Sequence, residues 1–202
     1  VDLSAPMLDV APDVRGRLLQ SLAVLEQPVS RRQVAAMAGV APSNASAVLR
    51  ALIEAGLVIE TPAGRASMVE LNRRHLAAGP IVALAGLRGE LVSRIRERLS
   101  SWSDIRDAWL FGSVARGDAT PASDVDVLIV AEDLDSADLH ERLSELHQDV
   151  REWTGNDLQL DEHSAESWRD LKAGLNPLVR EIRDDGIQLT PDRIPPDPEQ
   201  PS

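Results

Sequence analysis

The sequence predicts an α+β protein with two domains, and three observations support this. Apolar residues recur at helical spacing through residues 12–56, whereas strand-like apolar runs begin near Ile105. The net charge of −12 is uneven: residues 1–77 contain eight Arg and seven acidic residues, and the remainder contains 13 basic and 26 acidic residues. A near-neutral domain can present a basic face to a polyanion, whereas an acidic domain repels one except at a defined site. The two domains therefore have different predicted tasks.

The composition limits the class of protein further. A hydrophobic share of 43% is enough for a packed core. The absence of cysteine excludes disulfides and thiolate metal sites. No apolar run reaches the roughly 18 residues of a membrane-spanning helix, and no charged-then-apolar leader begins the sequence. We therefore expect a soluble cytoplasmic protein without a membrane partner.

The first predicted domain, residues 1–77, contains three helices and a hairpin. Ser30 and Gln33 form a capping-box pattern at the start of the second helix, which ends at a turn containing Gly39. Pro42 suits the first position of a third helix and Gly56 suits its end. Strands are predicted at residues 57–59 and 68–71.

This order of elements resembles the winged helix-turn-helix family of DNA-binding domains over roughly residues 10–75. The resemblance makes SNASAVLR the recognition helix and implies binding of double-stranded DNA through residues 30–70. Its candidate DNA contacts are Ser43, Asn44, Ser46 and Arg50 in the major groove, and Arg65 at a phosphate or in the minor groove. Two alternatives remain: the winged domain serves dimerisation or protein contact, and Ser43 only caps its helix.

Residues 78–103 are predicted to form one connecting helix. Its leucines, together with Ile95 and Trp102, recur at three- and four-residue spacing. The stripe predicts either a contact in a homodimer or packing of the helix against its own chain.

The second domain, residues 104–189, is predicted to be an α/β domain with a small mixed sheet. Strands are expected at residues 107–111, 125–130 and 157–161, with a helix over residues 136–153. Residues 190–202 are rich in proline and acidic residues, which predicts a disordered tail.

A Gly-Ser pair and two aspartates are the candidate active site. Asp124 and Asp126 flank a valine, so on a strand both carboxylates project from one face, where they can share a divalent cation. Gly112 and Ser113 directly follow an apolar strand; glycine permits close approach of an anion, and serine can hold a phosphate oxygen. Carboxylates that face an anion-binding turn are what phosphoryl transfer from a nucleoside triphosphate requires.

The same residues resemble the nucleotidyltransferases of the DNA polymerase beta superfamily, whose motif is Gly-Ser, ten residues, then Asp-x-Asp. Here ten residues, VARGDATPAS, separate Ser113 from Asp124. The resemblance implies Mg²⁺, at one or two sites, held by Asp124 and Asp126. It also implies a nucleoside triphosphate at Gly112 and Ser113, with Arg116 available to the phosphates or simply solvated.

One position departs from the family pattern. The family places a third carboxylate between two apolar residues of a neighbouring strand, where this sequence has Gln159. An amide binds divalent ions poorly and cannot accept a proton from an attacking hydroxyl. Asp161 could replace the missing catalytic acid if the strand slides or bends.

The sequence therefore supports two functions. One is a Mg²⁺-dependent nucleotidyltransferase that transfers a nucleoside monophosphate to an unidentified acceptor and is coupled to a DNA-binding domain. The alternative is a DNA-binding transcriptional regulator or antitoxin, whose transferase-like domain is inactive or senses nucleotides.

Overall fold

The computed structural model describes residues 1–64, 66–174 and 176–190. The chain divides into two units, Val1–Leu87 and Arg88–Ser202. Each unit has its own sheet and its own buried apolar side chains.

The first unit contains helices and a three-stranded antiparallel sheet. Its elements are α1 (Met7–Val10), α2 (Val14–Val24), β1 (Val29–Ser30), α3 (Arg31–Met37), α4 (Pro42–Glu54), β2 (Val58–Ala63), β3 (Ala66–Leu71) and α5 (Ala78–Ala85). The strand order is β1-β3-β2, and β2 pairs with β3 from Val58–Leu71 to Ala63–Ala66. The predicted hairpin is therefore confirmed, and its strands are longer than the sequence pattern indicated.

The helix ends follow from local sequence. Ser30 Oγ accepts a hydrogen bond from the Gln33 backbone N–H, and Gln33 Oε1 accepts one from the Ser30 backbone N–H, which confirms the capping box. Pro42 begins α4, where its missing N–H costs nothing. Gly39 and Gly56 have φ of 62° and 74°, left-handed values that favour glycine after a helix.

One face of α4 packs in the apolar core of this unit. Leu18, Val34, Leu49 and Val69 are fully buried and belong to one apolar cluster. Buried Leu49 marks the inner face of α4, so the polar residues of this helix lie on its outer face.

The second unit is built on a four-stranded mixed sheet. Its elements are α6 (Leu87–Ser100), β4 (Ile105–Phe111), α7 (Gly112–Arg116), β5 (Val125–Ala131), α8 (Ala137–Thr154), β6 (Leu158–Ser164), α9 (Ala165–Ala173), α10 (Pro177–Asp185) and β7 (Ile187–Gln188). The strand order is β6-β5-β4-β7, with β5 and β6 parallel and the other pairs antiparallel. The predicted small mixed sheet is confirmed.

The two faces of this sheet differ. Leu128 and Val130 pack with Trp168 of α9 and Ile182 of α10. Val127 points to the opposite face and is also fully buried. Asp126 shares the face of Leu128 and Val130, so its carboxylate lies on the side of the sheet that α9 and α10 cover.

The prediction of one connecting helix is wrong, because the structure has two helices, α5 and α6, separated at Gly86. Glycine weakens a helix interior, and Gly86 leaves helical geometry with φ −95° and ψ 10°. The apolar residues on either side also pack in different cores: Ile81 belongs to the first unit's cluster, whereas Ile95 is buried in the second unit.

The predicted tail at residues 190–202 lies outside the described residues except for Thr190. That residue is buried, and its hydroxyl accepts a hydrogen bond from the Ala108 backbone N–H and donates one to Asp107 Oδ1.

In the described ranges, no helix alone is long and apolar enough to cross a membrane; α3 and α4 reach that length and composition only as a pair bent by 112°.

Candidate active site

The turn after β4 packs directly against the carboxylate of Asp126. Phe111 pairs with Asp126 across the sheet, and the next residue, Gly112, has φ of +70°. A Cβ atom added to Gly112 would lie 2.1 Å from Asp126 Oδ2. Only glycine therefore permits both this backbone conformation and this close approach.

The short helix α7, which carries Ser113, is held at its end. The Ser113 carbonyl accepts a 3.0 Å hydrogen bond from the backbone N–H of Gly117, which has φ of +80°. Arg88 Nη1 donates to the carbonyls of Val114 and Ala115, at 3.3 Å each. Arg88 thus satisfies carbonyls that the helix itself leaves unpaired.

Asp124 and Asp126 form an acidic pair, and the positive charge of Arg116 offsets their mutual repulsion only in part. Asp124 is exposed immediately before β5, and Asp126 is half-buried within it. Burial raises the pKa of Asp126, and the negative charges of Asp124 and Glu181 raise it further, whereas Arg116 partly offsets them. Carboxylates that destabilise each other in this way suit a divalent cation.

The side chains of the described residues do not by themselves complete a metal site. Within the part of the chain that the structure describes, no group of three or more His, Cys, Asp or Glu residues is placed to hold a metal ion. A cation at the two aspartates would therefore depend on oxygen ligands from substrate or water.

Arg116 and Glu181 form an ion pair beside the acidic pair. Arg116 Nη1 donates to Glu181 Oε1, and its Nε lies 3.4 Å from Asp118 Oδ2. The sequence pattern gives no signal for Glu181, which lies far along the chain in a helix without a motif. Only the contact of α10 with α7 reveals it.

The strand that should supply a third carboxylate supplies an amide. Gln159 pairs with Asp126, and Asp161 pairs with Leu128, two residues further along the parallel strands. The register runs from Val125 to Ala131 without a shift, so the slide that would bring Asp161 to the position of Gln159 is absent. Asp161 Oδ1 instead lies 3.0 Å from His163 Nε2.

Comparison with known proteins agrees with this geometry. Residues 92–177 match the family model of the nucleotidyltransferase domain. The match covers both the Gly-Ser turn and the two aspartates, but it spans less than half of the chain. Among curated proteins, none matches the sequence.

Three solved structures show weaker likeness to the chain. They are a mutant of the toxin–antitoxin MntA–HpeT (19% identity, TM-score 0.32), RV1404 from Mycobacterium tuberculosis (21%, 0.36) and a toxin–antitoxin with AMP-PNP (20%, 0.32). In each case 50% of this chain and 71% of the other chain are covered. Likeness at this level establishes no function.

An asparagine organises the loop that precedes the two aspartates of the candidate active site. Asn156 Nδ2 donates to the carbonyls of Pro121 and Ser123, at 3.3 and 2.8 Å. The Val125 backbone N–H donates to the Asp157 carbonyl at 2.8 Å. These bonds fix the backbone on both sides of Asp124, a role that the sequence pattern did not indicate.

Four of the five residues predicted to contact DNA lie on α4, outside the segment that the family model matches. Ser43, Asn44 and Arg50 are exposed, and Ser46 is half-buried. The helix is capped at Ala41 without a side-chain hydrogen bond, so Ser43 does not act as its cap. Arg65 lies outside the described residues.

Proposed function

We propose that the protein transfers a nucleoside monophosphate from a nucleoside triphosphate to an acceptor hydroxyl. The observation that carries the proposal is the packing of Gly112 against Asp126, beside Asp124, in a segment that matches the nucleotidyltransferase domain. In the reaction the hydroxyl oxygen bonds to the α-phosphorus, the bond from that phosphorus to the β-bridging oxygen breaks, and pyrophosphate leaves.

Asp124 and Asp126 are the residues that would hold Mg²⁺. The ion, when bound, neutralises phosphate charge and polarises the oxygens of the triphosphate. The raised pKa of Asp126 fits this role, because a cation removes the repulsion that otherwise opposes its ionisation.

The remaining residues bind and orient the substrate. The bare backbone of Gly112 gives phosphate oxygens close access, and the Ser113 hydroxyl donates to one of them. Arg116 exchanges Asp118 and Glu181 for the phosphates, since its side chain is 36% exposed and its charge already acts on Asp126.

We assign the proton of the acceptor hydroxyl to Glu181. Gln159, the neighbour of Asp126 on β6, cannot accept it. Glu181 contributes to the charge around Asp126, and its carboxylate becomes available when Arg116 turns to the phosphates.

The test is nucleotide labelling of a cell extract by the purified protein with Mg²⁺ and α-³²P-labelled nucleoside triphosphates. Label that depends on the protein is expected, and the Asp124→Ala, Asp126→Ala double variant should abolish it. Glu181→Gln should slow labelling strongly, whereas Asp161→Asn, the matched control, should not. If neither the wild type nor the double variant produces label with any of the four nucleotides, the proposal is refuted.

A second function is favoured by the amide opposite Asp126 and by the exposed polar face of α4. In this alternative the protein regulates transcription as a winged helix-turn-helix DNA-binding protein, and the second unit binds nucleotide without turnover. Binding to genomic DNA fragments should then weaken steeply with salt and on Arg50→Ala or Arg65→Ala. Retention of DNA affinity by both variants would contradict the proposed contacts.

A further inference from the structure

A cavity of about 400 Å³ lies beside β4, between α9 and α10. Trp109, Trp168, Val179 and Ile182 contribute to its lining, which is mostly apolar. Its volume falls within the range of small-molecule sites, which are typically apolar with a few convergent polar groups.

Two tryptophans of the lining, Trp109 and Trp168, carry buried N–H groups without a hydrogen-bond partner among the described residues. Trp168 is 5% exposed. A buried tryptophan N–H usually finds an acceptor, and leaving one unsatisfied is costly. The packing around these two side chains is therefore incomplete without a further group.

The charged groups at the cavity favour an anion. Lys172 Nζ lies 5.5 Å from the centre of the Trp168 ring, and exposed Arg183 also lines the cavity. The one acidic residue in the lining, Asp107, already accepts a hydrogen bond from the Thr190 hydroxyl. Arg183 Nε also lies 3.8 Å from Asp184 Oδ1, in an exposed contact that solvent weakens, so in this acidic protein the cavity still presents two cationic side chains beside an aromatic interior.

We propose that the cavity binds a small aromatic carboxylate. The ring lies between the tryptophans and the aliphatic side chains of α10, and the carboxylate pairs with Lys172 and Arg183. Trp109 pairs with Leu128, whereas Phe111 pairs with Asp126, so the cavity lies further along the strands than the candidate active site. The proposal does not depend on nucleotidyl transfer.

The experiment uses the full chain and 1-naphthoate as the test ligand. The sequence has four tryptophans, whose indole N–H signals in a ¹⁵N–¹H correlation spectrum can be assigned from Trp→Phe variants. Naphthoate should shift the signals of Trp109 and Trp168 saturably, while those of Trp102 and Trp153 stay in place. Absence of any shift at millimolar naphthoate, or equal shifts of all four signals, would overturn the proposal.

Charge variants test the ligand class. Lys172→Gln and Arg183→Gln should each weaken naphthoate binding by up to about fivefold in calorimetric titration. The matched control Arg169→Gln removes an exposed charge from α9 outside the cavity lining and should leave affinity unchanged. Val179→Phe should narrow the cavity and weaken binding. If the neutral analogue 1-naphthalenemethanol binds as tightly as naphthoate, or if Arg169→Gln weakens binding as much as Lys172→Gln, the assignment of an anion is wrong.

Discussion

Replacing Gly112 with alanine should damage the active site more than the fold. The added Cβ would lie 2.1 Å from Asp126 Oδ2, whereas real Cβ contacts under 3.0 Å essentially never occur. Asp126 must therefore move by roughly 1 Å, and a misplacement of that size in a catalytic group costs on the order of 100-fold in rate. Alanine at a φ of +70° also destabilises the fold by about 1–2 kcal/mol.

Gly155→Ala separates the two effects. Gly155 has a φ of +75° at the end of α8, and nothing lies within 4 Å of its added Cβ. This variant should lose about 1–2 kcal/mol in urea denaturation and keep wild-type nucleotide labelling.

A double-mutant cycle tests the contact without an activity assay. The destabilisation by Gly112→Ala beyond that by Gly155→Ala should disappear in an Asp126→Ala background, where the nearest remaining Asp126 atom is Cβ at 3.3 Å. If Gly112→Ala retains full labelling and loses no more stability than Gly155→Ala, the packing of this turn against the carboxylate does not govern the site.

The other predictions concern separate parts of the molecule. Arg88→Gln should loosen α7 and weaken nucleotide binding severalfold in calorimetric titration, whereas Arg88→Lys should lose less. Because the pKa of Asp126 is raised in the folded state, its ionisation opposes folding; Asp126→Asn should be more stable than wild type at pH 7 with chelator, and this advantage should shrink in urea denaturation as the pH falls towards 4. Ser30→Ala should lose about 1 kcal/mol in the same assay without affecting labelling, because it removes the cap of α3. A stability difference between Asp126→Asn and wild type that does not change with pH would contradict the first of these two stability predictions. Wild-type stability of Ser30→Ala would contradict the second.

The elements that the sequence predicts well are those whose signals are local. The capping box at Ser30, the helix start at Pro42 and the strands on either side of the Gly-Ser turn depend on neighbouring residues, and the structure has them where the pattern indicated. The motif predicted that the aspartates face the Gly-Ser turn; in the structure Gly112 lies near Asp126 because β4 and β5 pair, with Phe111 opposite Asp126.

What the sequence could not provide depends on contacts between distant segments. Glu181 lies near Asp126 because α10 packs on α7, and no spacing rule encodes that contact. The break at Gly86 follows from apolar residues that pack in two different cores, whereas the stripe itself was continuous in helical spacing. The role of Asn156 could not be predicted, because it depends on which backbone carbonyls lie opposite its side chain.

The hydrogen bonds from Arg88 to α7 have a practical consequence for the choice of fragments of this protein. Arg88 is the first residue of the second unit, yet the matched family segment begins at residue 92 and ends at 177. A fragment of residues 92–177 would keep the Gly-Ser and Asp-x-Asp motif. It would lose Arg88, which secures the turn, and most of α10 with Glu181, the ion-pair partner of Arg116. Inactivity of such a fragment would reveal truncation damage and would not show that the intact chain lacks catalysis.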